Sequence, residues 1–520
     1  MAKARTTPLT QEQKAVVEAA EDVLTVTAFA GTGKTTTLKA FAKARPRSRI
    51  LYLAFNRALA EDSKAAFSEL GNVEVRTIHS LAYSRCGRQF QNTLGNIKAI
   101  DIIPFLKPLK VKHLQKQYDI ARIVLEAYND WLLSDHKTPD SFFKSSRAKI
   151  AAKLGPGEIK PKQIFTLVKS VWQASLAGEF TMPHNGYLKL FELTVGDALD
   201  HFDYILVDEA QDLNDCMISI IISNSAKKVF VGDPYQQIYG FNGAVDALAK
   251  TAVKGAANFY LTKSFRCPAE IAEVANQYLK ILGSPKTFSG VDEAPPKKVA
   301  TGELIIARTN ASLFDFIAKQ IENKKFYYNT GFESYRFDTI LEIVRLINKE
   351  VSQINDPFIK KFKNINELEE YVESTNDGVA NTRIKIAKRY NKKAFFIYNQ
   401  MQSAKMSNES QAHYIATTAH KIKGREYEKV HLLGDFVAID DAIGKATKFK
   451  ELCETEKKSG SEFQFHLNLE ELRLIYVSMT RSFGQLHCPE DYIITDKQIT
   501  AFKKLVKSGF IELWDGATTF

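Results

Sequence analysis

Residues 28–36 read Ala-Phe-Ala-Gly-Thr-Gly-Lys-Thr-Thr and follow directly on the apolar run Val23–Thr27. A strand that breaks into a glycine-rich loop and then opens a helix makes a cradle for phosphate. Its backbone N–H groups point at the anion, and the helix dipole favours negative charge there. In such a cradle Ala30, Gly31, Thr32 and Gly33 supply the loop and Thr36 continues the helix start. Lys34 reaches the β- and γ-phosphates, and the Thr35 hydroxyl holds Mg²⁺. Ala28 stands where the first glycine of G-x-x-x-x-G-K-[ST] is expected.

Two further constellations follow strand-like runs. Asp208-Glu-Ala-Gln-Asp212 comes after Tyr-Ile-Leu-Val. Adjacent carboxylates at a strand's end suit a divided task, with Asp208 on Mg²⁺ and Glu209 polarising an attacking water. The structural alternative is an acid-rich helix start. Val231–Ala244 then carries an amide able to sense a phosphate, Gln236, beside the aromatics Tyr235, Tyr239 and Phe241. Aromatics in polar loops can stack on bases, and core packing is the alternative. Arg266 and Arg481 are two arginines of the kind that stabilise charge on a transferring phosphoryl group. Either could equally be an ordinary salt-bridge arginine.

These residues need two sheets to place them. Val23–Thr27, Ile50–Ala54 and Val73–Arg76 alternate with helical patterns at Thr35–Ala44 and Arg57–Leu70. That is the signature of a parallel α/β sheet, with ligands at the strand C-termini. Residues 85–199 turn lysine-, leucine- and alanine-rich with helical spacing (Tyr118–Leu133, Ile164–Ala177), as an insertion would. Strand patterns resume at Tyr204–Val207 and Lys228–Val231, a helix follows near Pro268–Leu282, and Ser284–Lys298 reads as a linker. A second α/β unit has strand patterns at Leu304–Ala307, Tyr414–Thr418 and Val430–Leu433 and a helix at Glu470–Thr480. It is interrupted by a helical, lysine-rich stretch at 333–405.

The totals set outer bounds. The 520 residues are 45% apolar and 25% charged, a composition of globular protein rather than of disorder. No apolar run approaches the roughly 20 residues of a membrane span, and the first residues lack the apolar core of a secretory signal. Five cysteines without a C-x-x-C pair speak against a zinc or iron–sulfur module and fit an intracellular protein. The net charge of +11 is compatible with a polyanionic partner without demanding one.

With these pieces placed, the chain resembles a superfamily 1A helicase of the UvrD/Rep type. Leu9-Thr-Gln-Glu-Gln13 is similar to the Q motif, residues 28–36 to motif I, Leu53-Ala-Phe-Asn-Arg57 to motif Ia and Thr77-Ile-His-Ser80 to motif Ib. Asp208–Asp212 resembles motif II, Gly232–Ala244 motif III, and Leu261–Arg266 motif IV. Thr417–Tyr427 resembles motif V and Glu470–Arg481 motif VI. A finer resemblance, carried by motifs III and IV and by His184-Asn-Gly-Tyr-Leu-Lys189, points to the F-box DNA helicase branch. With eight residues ahead of Leu9, no F-box is expected, and a prokaryotic or viral source fits such a stripped-down motor.

The resemblance implies two RecA-like P-loop domains, 1A (1–84 and 200–283) and 2A (284–332 and 406–520), with helical insertions 1B (85–199) and 2B (333–405). It implies an ATP- and Mg²⁺-dependent motor moving 3′ to 5′ on single-stranded DNA and unwinding tailed or forked duplexes. Gln13 then reads adenine, Phe265 stacks on it, Arg266 and Arg481 contact the γ-phosphate, and Glu426 belongs to the same nucleotide site. Gln236 couples that phosphate to the DNA loop. Phe55, Asn56, Thr77, His79, Tyr239, Phe241, Asn242 and His420 fall along the strand. Asn242 replaces a usual arginine, while Lys421 and Arg425 bring charge to motif V. Two readings stay open beside the helicase: a translocase that strips proteins from DNA, and an ATP-gated clamp. The implied setting is a monomer in DNA repair or recombination, meeting recombination or replication proteins. It would be cytoplasmic in a prokaryote or virus and nuclear in a eukaryote, with no membrane.

Overall fold

A computed structural model describes residues 8–157, 159–240, 243–250, 256–292, 302–322, 324–374, 378–456 and 464–515. By internal packing the chain forms two compact units. The first comprises 1–28 and 33–261, and the second 29–32 and 262–518.

The first unit is built on six strands: β1 (Val23–Ala28), β2 (Ile50–Ala54), β3 (Val73–Thr77), β4 (Tyr204–Val207), β5 (Lys227–Gly232) and β6 (Ala257–Leu261). They pair in the order β3-β2-β4-β5-β1-β6, every pair parallel. Parallel sheets need both faces covered, and the period-2 alternation of side chains supplies two cores. Leu51, Leu53, Ile205, Val207 and Phe230 face one apolar cluster. Tyr52, Ala54, Leu206, Val229 and Val231 face the other. The first cluster runs on into the inserted helices Leu114–Leu133, Pro139–Leu154, Pro161–Leu176 and His184–Thr194. There the Trp131 and Trp172 rings meet edge to face with centroids 5.1 Å apart.

One ion cluster ties the insertion to the sheet's helices. Lys189, fully buried, donates to Glu192 at 2.7 Å and to the Ser134 carbonyl at 2.8 Å. Lys137 approaches the same Glu192 at 2.6 Å. Two cations on one buried carboxylate make that carboxylate the indispensable member.

The second unit contains β7 (Lys263–Pro268), β8 (Ser289–Val291), β9 (Glu303–Ala307), β10 (Phe326–Tyr328), β11 (Tyr414–Thr418), β12 (Tyr427–Leu432), β13 (Phe465–Asn468), β14 (Ser482–His487) and β15 (Ile511–Trp514). Its main sheet is parallel in the order β10-β11-β9-β12-β14; β13-β15 and β7-β8 are separate pairs. Helices Asp338–Ile347, Ile365–Ser374, Gly378–Tyr390 and Lys393–Ser403 fill the stretch between β10 and β11 and share its core. The expected linker at 284–298 is not wholly irregular, because Ser289–Val291 pairs with β7; residues 293–298 lie outside the described ones.

Changing Glu192 to Gln should strand Lys189 as a buried cation with one carbonyl partner. We expect the unfolding transition of this unit to weaken by about 3–5 kcal/mol in guanidinium titration.

Candidate nucleotide and strand sites

The cradle of residues 29–36 has the backbone a phosphate requires. Gly31 and Gly33 adopt φ of 72° and 84°, a left-handed conformation that side chains resist. The helix Lys34–Lys43 opens at Gly33 with no side chain capping its N-terminus. Its first N–H groups are therefore left to a ligand or to solvent. A Cβ on Gly31 would collide with Ser264 and Arg266. The Ser264 hydroxyl donates to the Ala30 carbonyl at 2.9 Å, and the Phe265 N–H to that of Gly31 at 2.8 Å.

In the first unit, Lys34 Nζ lies 2.9 Å from Glu209 Oε1, with both side chains largely buried. Burial alone would push the ammonium pKa down, but Glu209, Asp208 and Asp233 outweigh it and raise the value. Asp208, at the end of β4, moves upward as well. Burial is the main cause and Glu209 adds repulsion, against partial relief from Lys34, Tyr52 and the Glu209 N–H. That N–H donates to Asp208 Oδ1 at 2.9 Å, and the Tyr52 hydroxyl to Oδ2 at 2.5 Å. Glu209 itself sits at φ 54°, ψ 45°. A non-glycine residue there carries a backbone cost of about 1–2 kcal/mol, stored where the carboxylate is aimed.

A chain of hydrogen bonds leaves this pair. Gln211 Nε2 donates to Glu209 Oε2 at 2.5 Å, and the Asp233 N–H donates to Gln211 Oε1 at 3.0 Å. Gln236 Nε2 then donates to Asp233 Oδ2 at 2.7 Å. Three residues beyond Gln236, the Tyr239 ring stacks on Phe55 with centroids 5.5 Å apart and planes 18° from parallel. Both rings line a groove of about 480 Å³ that also receives Asn56, His79, Asp212 and Asn214.

Other expected strand residues in this unit carry structural duties. Asn56 caps the helix Arg57–Phe67, and Thr77 caps Ile78–Ala82. His79 Nε2 lies 3.4 Å from Asn185 Oδ1, and burial pushes its pKa down. Gln13 is buried, its amide oxygen accepting from the Thr10 N–H at 3.0 Å. Phe241 and Asn242 lie outside the described residues.

In the second unit, Arg266 pairs with Glu426 and donates to the Thr480 carbonyl at 3.2 Å. Its buried Nε has no hydrogen-bond partner among the described residues, which suits an anionic ligand. Arg481, 2% exposed, donates from Nε to the Val477 carbonyl at 2.9 Å. His420 Nε2 stands 3.2 Å from Glu470. Lys421 is held by the Ser334 carbonyl at 2.8 Å and lies over the Tyr335 ring, and desolvation lowers its pKa to about 8. Arg425 donates to Asn329 at 2.9 Å and pairs with Glu409. Both added motif V cations thus have protein partners of their own.

Residues 9–252 match the model of the UvrD/REP helicase N-terminal domain. The chain belongs to the UvrD/Rep-type superfamily 1 helicases. It is 27% identical over 516 residues to F-box DNA helicase 1 of Gallus gallus, covering 91% of this chain and 48% of that protein. To F-box DNA helicase protein 1 of Schizosaccharomyces pombe it is 28% identical over 537 residues, covering 92% and 57%. DNA helicase IV of Escherichia coli is 26% identical over 327 residues, covering 52% of this chain and 47% of that one. The chain spans about half the length of the curated relatives it matches.

Three members of the family's site went unread in the sequence: Tyr52, Gln211 and Asp233. Tyr52 gives one signal, a hydroxyl inside the otherwise aliphatic Ile-Leu-Tyr-Leu-Ala strand. In a Tyr52→Phe variant Asp208 loses a hydrogen bond that favours its ionised form, so its pKa must rise further. We expect the acid limb of Mg²⁺-dependent nucleotide binding to move up by about one pH unit, measured with a fluorescent nucleotide.

Proposed function

We propose that this chain is an ATP-driven DNA helicase that moves 3′ to 5′ along single-stranded DNA and separates duplexes. Lys34 set against the Glu209 carboxylate, with Asp208 beside it and an uncapped helix N-terminus under it, is the observation that carries the reading. The donor set fits a magnesium nucleotide: backbone N–H groups and an ammonium for phosphate, and the hard oxygens of Asp208 and Thr35 for the metal. ATP, when bound, supplies the phosphoanhydride whose hydrolysis drives the motor.

In this proposal Lys34 neutralises phosphate charge, Asp208 and Thr35 hold Mg²⁺, and Glu209 takes the proton of the attacking water. Gln13 and Phe265 hold the base, with Glu426 near it. Arg266 and Arg481 answer to the γ-phosphate. The bonds from Glu209 through Gln211 and Asp233 to Gln236 support a coupling role for that amide. Phe55, Tyr239 and Phe241 stack on bases, while Asn56, Thr77, His79, Asn242 and His420 line the strand. The division into 1A, 1B, 2A and 2B is proposed with the same boundaries as the sequence suggests. The direction of movement, the monomeric state and service in repair or recombination rest on the family resemblance.

Lys34→Ala or Glu209→Gln should cut ATP turnover by 100-fold or more, on the order of a lost catalytic group. Single-strand binding should survive, as read by fluorescence anisotropy. Duplexes with a 3′ tail should be unwound and those with a 5′ tail left intact; the opposite preference would refute the polarity.

A further inference from the structure

The groove in the first unit has a chemistry that phosphate contacts do not account for. Phe55 and Tyr239 offer it aromatic faces, and five asparagines line it: Asn56, Asn96, Asn129, Asn185 and Asn214. Among its described lining residues none is lysine or arginine, and burial holds His79 below its ordinary pKa. Phosphodiesters are held by cations. A cation-free groove of carboxamides and aromatic faces instead suits a neutral planar ring with hydrogen-bonding edges, a nucleobase.

The amides also have a sense. The Leu59 N–H donates to Asn56 Oδ1 and the Met217 N–H to Asn214 Oδ1, each at 2.9 Å. A backbone N–H can only donate, so these two amides have spent an oxygen and keep their NH₂ donors. Asn185 turns its oxygen toward His79 in the same manner. Asn129, half-buried on the helix Leu114–Leu133, makes no side-chain hydrogen bond among the described residues. The groove therefore presents mainly donors.

We infer that this groove seats one base of the single strand and reads its edge, favouring bases with ring carbonyl acceptors, thymine foremost, over adenine, which has none. The inference rests on the single-strand reading of this unit, and it departs from the sequence-blind track that stacking alone would give. Asn129 and Asn185, both from the insertion's helices, become specificity-determining residues.

The test compares thymine, adenine and abasic oligonucleotide tracts on the full chain at one fixed salt concentration, with Asn129→Leu, Asn185→Leu and Asn129→Asp variants. Self-stacking of adenine is the same for every variant, so it cancels when the thymine-to-adenine affinity ratio is compared with the original chain. Each leucine variant should lower that ratio by about fivefold, the lower end of a base-edge contact. Asn129→Asp, which trades a donor for an acceptor in the same shape, should move it further toward adenine. Affinity for the abasic tract should stay level. Ratios unchanged in all three variants, or abasic affinity falling in parallel, would overturn the inference. If no tract binds the original chain, the helicase proposal fails instead.

Discussion

One ammonium group organises the first unit. Lys34 Nζ stands 2.9 Å from Glu209, largely out of water, and three carboxylates keep its charge in place against the cost of burial. The pair satisfies both groups and also ties both up. A carboxylate that accepts from a lysine and a glutamine is poorly placed to take a proton from water. A triphosphate brings several negative charges where Glu209 offers one, so in the proposed cycle the ammonium changes partner and the carboxylate is released for catalysis.

The consequences of that exchange have a physical route. Glu209 shares its second oxygen with Gln211, which holds the Asp233 N–H, and Asp233 in turn holds Gln236. The segment carrying Gln236 continues to Tyr239, stacked on Phe55 at the wall of the groove. Asp212 and Asn214, which line the same groove, follow Glu209 by three and five residues. The strained backbone of Glu209 fits this arrangement, since it aims the carboxylate at Lys34 while its N–H fixes Asp208. Nucleotide and strand chemistry are thus joined within one unit by bonds that each have a single donor and a single acceptor.

The sequence made the central strands legible and the edges obscure. Ile50–Ala54, Tyr204–Val207 and Tyr414–Thr418 are apolar runs because both faces of a parallel sheet are covered, and their limits agree with β2, β4 and β11. The edge strands Ala257–Leu261 and Ser482–His487 are half-exposed and mixed in character, so no run announced them. The helix Leu114–Leu133 begins a turn earlier than its apolar stripe, in the polar Leu-Gln-Lys-Gln. Motif spacing pointed to Lys34, Asp208 and Glu209. It could not show that Tyr52 reaches Asp208, because that contact depends on β2 and β4 being neighbours in the sheet. Nor could it show that Lys421 and Arg425 would be engaged by Ser334, Asn329 and Glu409.

The most direct test is a crystal structure of the full chain with Mg²⁺ and a non-hydrolysable ATP analogue. The exchange account requires Lys34 Nζ to have left Glu209 for phosphate oxygen, with Asp208 still held by Tyr52 and turned to the metal. A nucleotide seated in the cradle while Lys34 and Glu209 remain paired at 2.9 Å would contradict it.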